Sequence, residues 1–213
     1  MVVSVIFNSI MKILHLFSGY NTFTDICAAH NVQVTSLNDR NYQRCTASTI
    51  ICDFMDFKYL DHNAQEFDFV LVGFPCTTFS KASGNLHFKS GIPQSSQALK
   101  SIELLKKLQT VLQYFECDFM IENPTSALFS NPYFSQYFNI NQLHFIRLHQ
   151  HVFGHQAYKQ TDLVTTKNGL ILSNPVHRVN GNYSKKKFSN LTIKQRQSYP
   201  PAFCEALLKF ILD

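Results

Sequence analysis

Asp53, Cys76 and Glu122 each follow a short apolar run in this chain of 213 residues. A thiol beside a carboxylic acid is the pairing used for covalent catalysis on an electrophilic ring: the thiolate adds, and the acid stabilises or protonates the charge that develops. The run Phe67 to Val72 ends in Gly73 and Pro75, so Cys76 is expected at the C-terminal edge of a buried strand. In an open α/β sheet that edge is where ligands bind. Asp53 follows Thr49 to Cys52, and Glu122 follows Asp118 to Ile121, which puts all three groups on one rim although they are far apart in sequence. Taken singly, each has a plainer reading: a packed thiol, a turn cap, a surface carboxylate. Their shared position is what favours chemistry. A free thiol ionises near pH 8.5, so a reactive Cys76 needs a positive environment or a helix N-terminus, for which the residues after it are a source.

The elements that must position these groups alternate between strand and helix. Lys12 to Phe17 reads as a strand, Phe23 to His30 as a helix, Val32 to Leu37 as a second strand and Thr49 to Cys52 as a third. Between the first strand and its helix, the turn Phe17-Ser18-Gly19 is a place where a nucleotide-like cofactor approaches the backbone. Gln97 to Phe115 puts Leu99, Ile102, Leu105, Leu108, Leu112 and Phe115 on one helical face. Asp118 to Ile121 is a strand expected to stop at Glu122-Asn123-Pro124, because the residue before a proline leaves the helical region. Leu143 to Val152, Asp162 to Thr166 and a hairpin partner at Gly169 to Leu172 follow, and Pro201 to Leu212 closes the chain as a helix with proline in its first turn. This alternation predicts an α/β fold with a largely parallel sheet.

Size and composition narrow the classes. The length fits a single domain over 1–213, with a hydrophobic fraction of 45% and a charged fraction of 15% that describe a globular protein, not a disordered one. Lys and Arg number 19 against 14 Asp and Glu, and the resulting +5 suits an anionic partner. The six cysteines stand singly, without CxxC spacing, which argues against a metal site or a disulfide framework and for a reducing, intracellular compartment (cytoplasm, or nucleus in a eukaryotic host). No run approaches the roughly 20 apolar residues a membrane span needs.

Taken together, LHLFSG (Leu14 to Gly19), Cys52-Asp53, GFPCTTFS (Gly73 to Ser80) and IENP (Ile121 to Pro124) resemble the ordered motifs of DNA cytosine-5 methyltransferases, most closely the short phage- or virus-type members, such as those of restriction-modification systems. VFGHQAYKQTDLVTT (Val152 to Thr166) is similar to the segment that follows IENP in those proteins, and RQSYPPAFCEALL (Arg196 to Leu208) to their last motif. The resemblance implies an S-adenosylmethionine-dependent methyltransferase (Rossmann-like) fold, a mixed seven-stranded sheet with helices on both faces. It also implies methyl transfer from S-adenosylmethionine to C5 of cytosine in DNA through a covalent cysteine adduct. Cys76 would add to C6 of the base, Glu122 would contact N3 and the exocyclic amine, and Lys159 would stand for the family's arginine. Phe17, Ser18, Gly19, Asn38, Asp39, Asp53, Phe54 and Pro75 would form the cofactor pocket, with no metal. The cytosine would have to be flipped out of a duplex to be reached.

Three departures stand beside the resemblance. Tyr20-Asn21-Thr22 replaces further glycines, Lys159 keeps a charge without the arginine fork, and Ser198-Tyr199 replaces a Gly-Asn pair before Pro200-Pro201. The place of a sizeable recognition domain is taken by a reduced, basic region at 167–195, where Lys185, Lys186 and Lys187 lie between Tyr183 and Phe188. Sequence selectivity is therefore expected to be short, relaxed or supplied by a protein partner. Two other readings fit the same residues: a catalytically inactive methyltransferase-like module that binds DNA or protein, and a methyltransferase of RNA or of a free nucleotide.

Overall fold

The computed structural model describes residues 10–20, 22–40, 48–80, 83–157, 159–169, 191–192, 194–195 and 198–213. Seven strands form one sheet: β1 (Lys12–Leu16), β2 (Gln33–Asn38), β3 (Thr49–Ile51), β4 (Phe69–Gly73), β7 (Asp118–Pro124), β8 (His144–His149) and β9 (Gln160–Thr165). β5 (Phe88–Lys89) and β6 (Ile92–Pro93) make a separate small hairpin. The sheet order is β3-β2-β1-β4-β7-β9-β8. Neighbours from β3 through β7 pair in parallel, while β9 is antiparallel to both β7 and β8. The chain builds outward from β1 on one side and then crosses to β4 on the other, so the C-terminal ends of β1 and β4 flank the switch-point crevice where α/β sheets bind ligands.

Each face of the sheet is covered, and strand periodicity dictates by what. Along β1 and β4, Leu14, Leu16, Val70 and Val72 point to one side, where they pack with Leu105, Leu108 and Leu112 of α2 (Ser96–Phe115). Ile13, Phe69 and Leu71 point to the other, against Phe23 and Cys27 of α1 (Thr22–Ala29) and Phe203, Leu207 and Ile211 of the C-terminal helix, α4 (Pro201–Leu212). A short helix, α3 (Pro132–Tyr137), adds Phe134 to the α2 side. Full burial of a Leu or Phe side chain contributes about 1.5–3 kcal/mol, and these two layers hold β1, β4 and β7 rigidly between them.

Several boundaries differ from those the sequence predicts. The Ser95 hydroxyl accepts from Ala98 N at 3.1 Å and starts α2, and Glu116 ends it in the left-handed region at φ 51°. Leu99 lies in the first turn and is 56% exposed, so it is not on the buried face. β7 does not stop before Glu122. It continues through Pro124 because β9 runs back beside it, pairing Glu122 with Leu163, Asn123 with Asp162 and Pro124 with Thr161. β8 stops at His149, and Gln150–Phe153 form a 3-10 turn ended by Gly154 at φ 95°. Thr77 to Phe79 make a turn and not a helix start, so no helix dipole follows Cys76 there. The hairpin partner expected at Gly169 to Leu172 lies, beyond Gly169, outside the described residues, as does most of the 167–195 region.

Candidate active site

Parallel pairing of β4 with β7 sets Gly73 directly opposite Glu122, so the loop carrying Pro75 and Cys76 leaves the sheet beside the Glu122 carboxylate. Three bonds fix that junction. Phe74 N donates to the Glu122 carbonyl at 3.2 Å, Asn123 Nδ2 donates to the Phe74 carbonyl at 2.7 Å, and Ser126 Oγ donates to Asn123 Oδ1 at 2.7 Å. Asn123 is fully buried, which makes its amide a brace between the two loops. Phe79 follows with its backbone NH on the Cys76 carbonyl at 3.1 Å, and its ring stacks on Phe88 of the small hairpin at 5.0 Å. Pro75 is exposed and Cys76 half-buried.

Glu122 is only 4% exposed and is surrounded by donors. Tyr199 donates its hydroxyl to Oε2 at 2.9 Å, Gln150 Nε2 donates to Oε1 at 3.3 Å, and Lys159 Nζ stands 3.9 Å from Oε1. A carboxylate can accept about four hydrogen bonds, so these partners leave it acceptor capacity for a substrate donor. Lys159 is itself buried, and its ammonium lies 5.4 Å from the centroid of the Tyr199 ring. Gln150 is fully buried; its Nε2 also donates to Thr161 Oγ1 at 2.9 Å, while its Oε1 has no partner among the described residues.

Burial pushes the Cys76 thiol above its ordinary range, the Glu122 charge adds to that, and the Lys159 charge opposes it. Lys159 works against that rise, by less than burial and the Glu122 charge work for it. Burial likewise pushes the Tyr199 phenol well up, with the Glu122 charge and hydrogen bond as further causes, so Tyr199 stays a donor. Tyr199, Gln150 and Asn123 belong to the site but are not among its sequence-derived residues. For Tyr199 a signal existed, its placement in the final motif, whereas Gln150 is an ordinary polar residue until the fold brings it under Glu122.

The residues expected to receive a cofactor lie across β1 from this cluster. Phe17 turns the chain at φ 56°, and its ring contacts Phe54 at 4.8 Å and Phe74 at 5.9 Å between centroids. Ser18 donates its backbone NH to the Leu37 carbonyl at 3.3 Å. Gly19 adopts φ 59°, a left-handed conformation that glycine takes without strain. Asn38 is buried and grips that loop from both sides: Oδ1 accepts from Gly19 N at 2.8 Å, and Nδ2 donates to the Gly19 carbonyl at 3.4 Å. Asp39 is exposed and paired with Arg40 at 2.7 Å. Asp53 is exposed at the end of the third strand, with Oδ1 accepting from Met55 N at 2.8 Å. Phe17 and Phe54 thus form an aromatic pair that Asp53 immediately precedes in the chain. Both ends of the Asn38 amide are thus engaged by the Gly19 loop.

Parallel strands on both sides of a switch point, with one antiparallel strand inserted next to the edge and helices on both faces, define a Rossmann-like methyltransferase fold. Solved structures with this fold include the methyltransferase EhMeth of Entamoeba histolytica, at TM-score 0.54 and 15% identity over 79% of this chain and 57% of that one. The Dnmt2 methyltransferase of S. pombe is similar at TM-score 0.51 and 14% identity, covering 81% of this chain and 58% of that one. A candidate DNA modification methyltransferase encoded within an E. coli prophage is similar at TM-score 0.50 and 14% identity, covering 73% and 46%. The chain thus spans about half the length of the solved structures it matches. No family model matches the sequence, and no curated relative does. Among the described residues, no helix is long and apolar enough to cross a membrane, and no three His, Cys, Asp or Glu side chains form a metal-binding group.

Proposed function

We propose that this protein is a DNA cytosine-5 methyltransferase in which Cys76 is the nucleophile. The observation that carries the reading is the convergence of the Cys76 thiol, the Glu122 carboxylate and the Lys159 ammonium at the C-terminal ends of β4, β7 and the approach to β9, on a methyltransferase sheet. The Cys76 sulfur, once deprotonated, forms a bond to C6 of cytosine, and the C5–C6 π pair moves onto C5 and into the ring. Glu122 accepts from the exocyclic amine and holds the ring in register. Lys159 favours the thiolate and offsets the carboxylate charge beside it. S-adenosylmethionine supplies an electrophilic methyl group for C5. Loss of the C5 proton to a base then restores the C5–C6 double bond as the S–C6 bond breaks and the Cys76 thiolate leaves.

In this proposal Phe17, Ser18, Gly19, Asp53 and Phe54 hold the adenine end of the cofactor, Pro75 lines the path to the base, and Asn38 shapes the Gly19 loop. DNA would contact the rim and the 167–195 segment, with target selectivity narrow in extent or lent by a protein partner. The test is DNA in which 5-fluorocytosine replaces cytosine, incubated with enzyme and S-adenosylmethionine. The fluorine blocks loss from C5, so a covalent complex at Cys76 is expected; no complex on DNA refutes the reading, and a complex on RNA alone moves the substrate to RNA.

A second reading, an inactive module that binds DNA or protein, is favoured by the direct Phe17–Phe54 ring contact and by the committed Asn38 amide. Calorimetric titration with S-adenosylhomocysteine separates it, since that reading expects no heat of binding.

A further inference from the structure

Tyr199 stands in the site without a role in the chemistry just described. Pro200 alone separates it from α4, whose first turn is held by Phe203 N and Cys204 N on the Pro200 carbonyl at 3.0 and 3.1 Å. This anchors Tyr199 at the helix start, with its ring edge-on to Phe203 at 5.5 Å. Its hydroxyl reaches the sheet over Gly73, where a Cβ would come within 3.3 Å of the phenol oxygen and 2.9 Å of the Phe17 carbonyl. A glycine at 73 thus makes the seat into which the phenol fits. From that seat the hydroxyl donates to Glu122 Oε2, while Gln150 and Lys159 occupy Oε1.

We infer that Tyr199 is a positioning residue that holds the Glu122 carboxylate and, through it, governs the reactivity of Cys76. It rests on the reading above only in taking Cys76 as the nucleophile. The charged and titratable groups acting on the thiol come from three elements: Glu122 of β7, Lys159 before β9 and Tyr199 before α4. A hydroxyl dipole pointed at Glu122 draws its negative charge away from the thiol, and Lys159 does the same with a full charge. Removing the hydroxyl leaves that carboxylate less compensated and free to turn. The thiolate becomes harder to form, so Cys76 reacts more slowly at a given pH.

The experiment measures alkylation of Cys76 by iodoacetamide against pH, read on the peptide containing Cys76 by mass spectrometry so that the other cysteines do not contribute. Four forms of the full chain are compared: wild type, Tyr199→Phe, Glu122→Gln and the double variant. The expected result is a profile displaced to higher pH in Tyr199→Phe, with a rate at pH 8 lowered about three-fold, and a profile displaced to lower pH in Glu122→Gln. In the Glu122→Gln background, Tyr199→Phe is expected to change nothing further, because the hydroxyl acts through the carboxylate. An equal effect in both backgrounds, or no effect in either, overturns the inference, and a mere loss of melting temperature does not support it. If the wild type transfers no methyl group yet the coupling appears, the functional reading falls and the positioning role stands; methyl transfer without the coupling gives the reverse.

Discussion

The rim around Glu122 and the crevice around Gly19 lie on opposite sides of the β1–β4 switch point, yet they spend their polar groups differently. At the rim, Tyr199, Gln150 and Lys159 converge on one carboxylate from three separate segments, and the charges of that carboxylate and of Lys159 both bear on a half-buried thiol. In the crevice the polar groups satisfy one another: Asn38 closes on Gly19, Asp39 on Arg40, and Asp53 on Met55 N. Groups that close on backbone, as Asn38 and Asp53 do, or on an adjacent side chain, as Asp39 does, shape a loop. Groups that converge from afar cost conformational entropy and desolvation, which folding alone does not require. The rim therefore gathers charge beside a thiol, whereas the crevice holds a backbone shape next to the Phe17–Phe54 pair.

The sharpest way to break this contrast is to remove the thiol. Cys76→Ser is expected to lower methyl transfer by about a thousand-fold or more and to abolish the covalent complex, as measured by tritium incorporation, while S-adenosylhomocysteine binding is unchanged. Glu122→Gln keeps the shape and removes the charge; methyl transfer is expected to fall by about a hundred-fold, again with cofactor affinity intact. On the crevice side, Asp53→Ala is expected to weaken cofactor binding by about ten-fold by calorimetry, without altering the pH profile of Cys76 alkylation. Should Asp53→Ala change Cys76 reactivity as much as Glu122→Gln does, the two regions are not separate.

Two smaller effects test the frame that holds both. Buried Asp162 accepts from Arg147 Nε at 2.7 Å and Nη2 at 3.1 Å and from Thr125 Oγ1 at 2.9 Å, tying β8 and β9 to the end of β7 below Glu122. Asp162→Asn is expected to cost about 1–3 kcal/mol in urea unfolding. His15, buried in β1 with neither ring nitrogen partnered among the described residues, is held down to about 3 by burial. Its folded value lies below its unfolded one, so the unfolded chain binds the proton first and stability is lost as pH falls from 6.5 towards 3. His15→Leu is expected to remove up to about 1.4 kcal/mol per pH unit of that acid sensitivity.

The strands β1, β4 and β7 were legible because a buried parallel strand is a short apolar run, and the pairing of β4 with β7 then brings the loop of Cys76 beside Glu122. β7 ran past its predicted stop because register with β9 is a tertiary fact that a proline rule cannot carry. Leu99 follows the helical period yet lies in the first turn, beyond the edge of the sheet's cover. Gln150 was illegible for a similar reason: a polar side chain in a turn reads as solvated until its partners arrive from elsewhere. Asn38 was placed correctly at the end of β2, but the sequence gives no hint that its amide turns back onto Gly19.

The most direct measurement is transfer of tritiated methyl from S-adenosylmethionine to unmethylated DNA, with nucleoside analysis of the product and Cys76→Ser in parallel. Label in 5-methylcytosine with the wild type and none with the variant is the result predicted. No label on DNA, together with no binding of S-adenosylhomocysteine, would contradict the account and leave a methyltransferase fold without its chemistry.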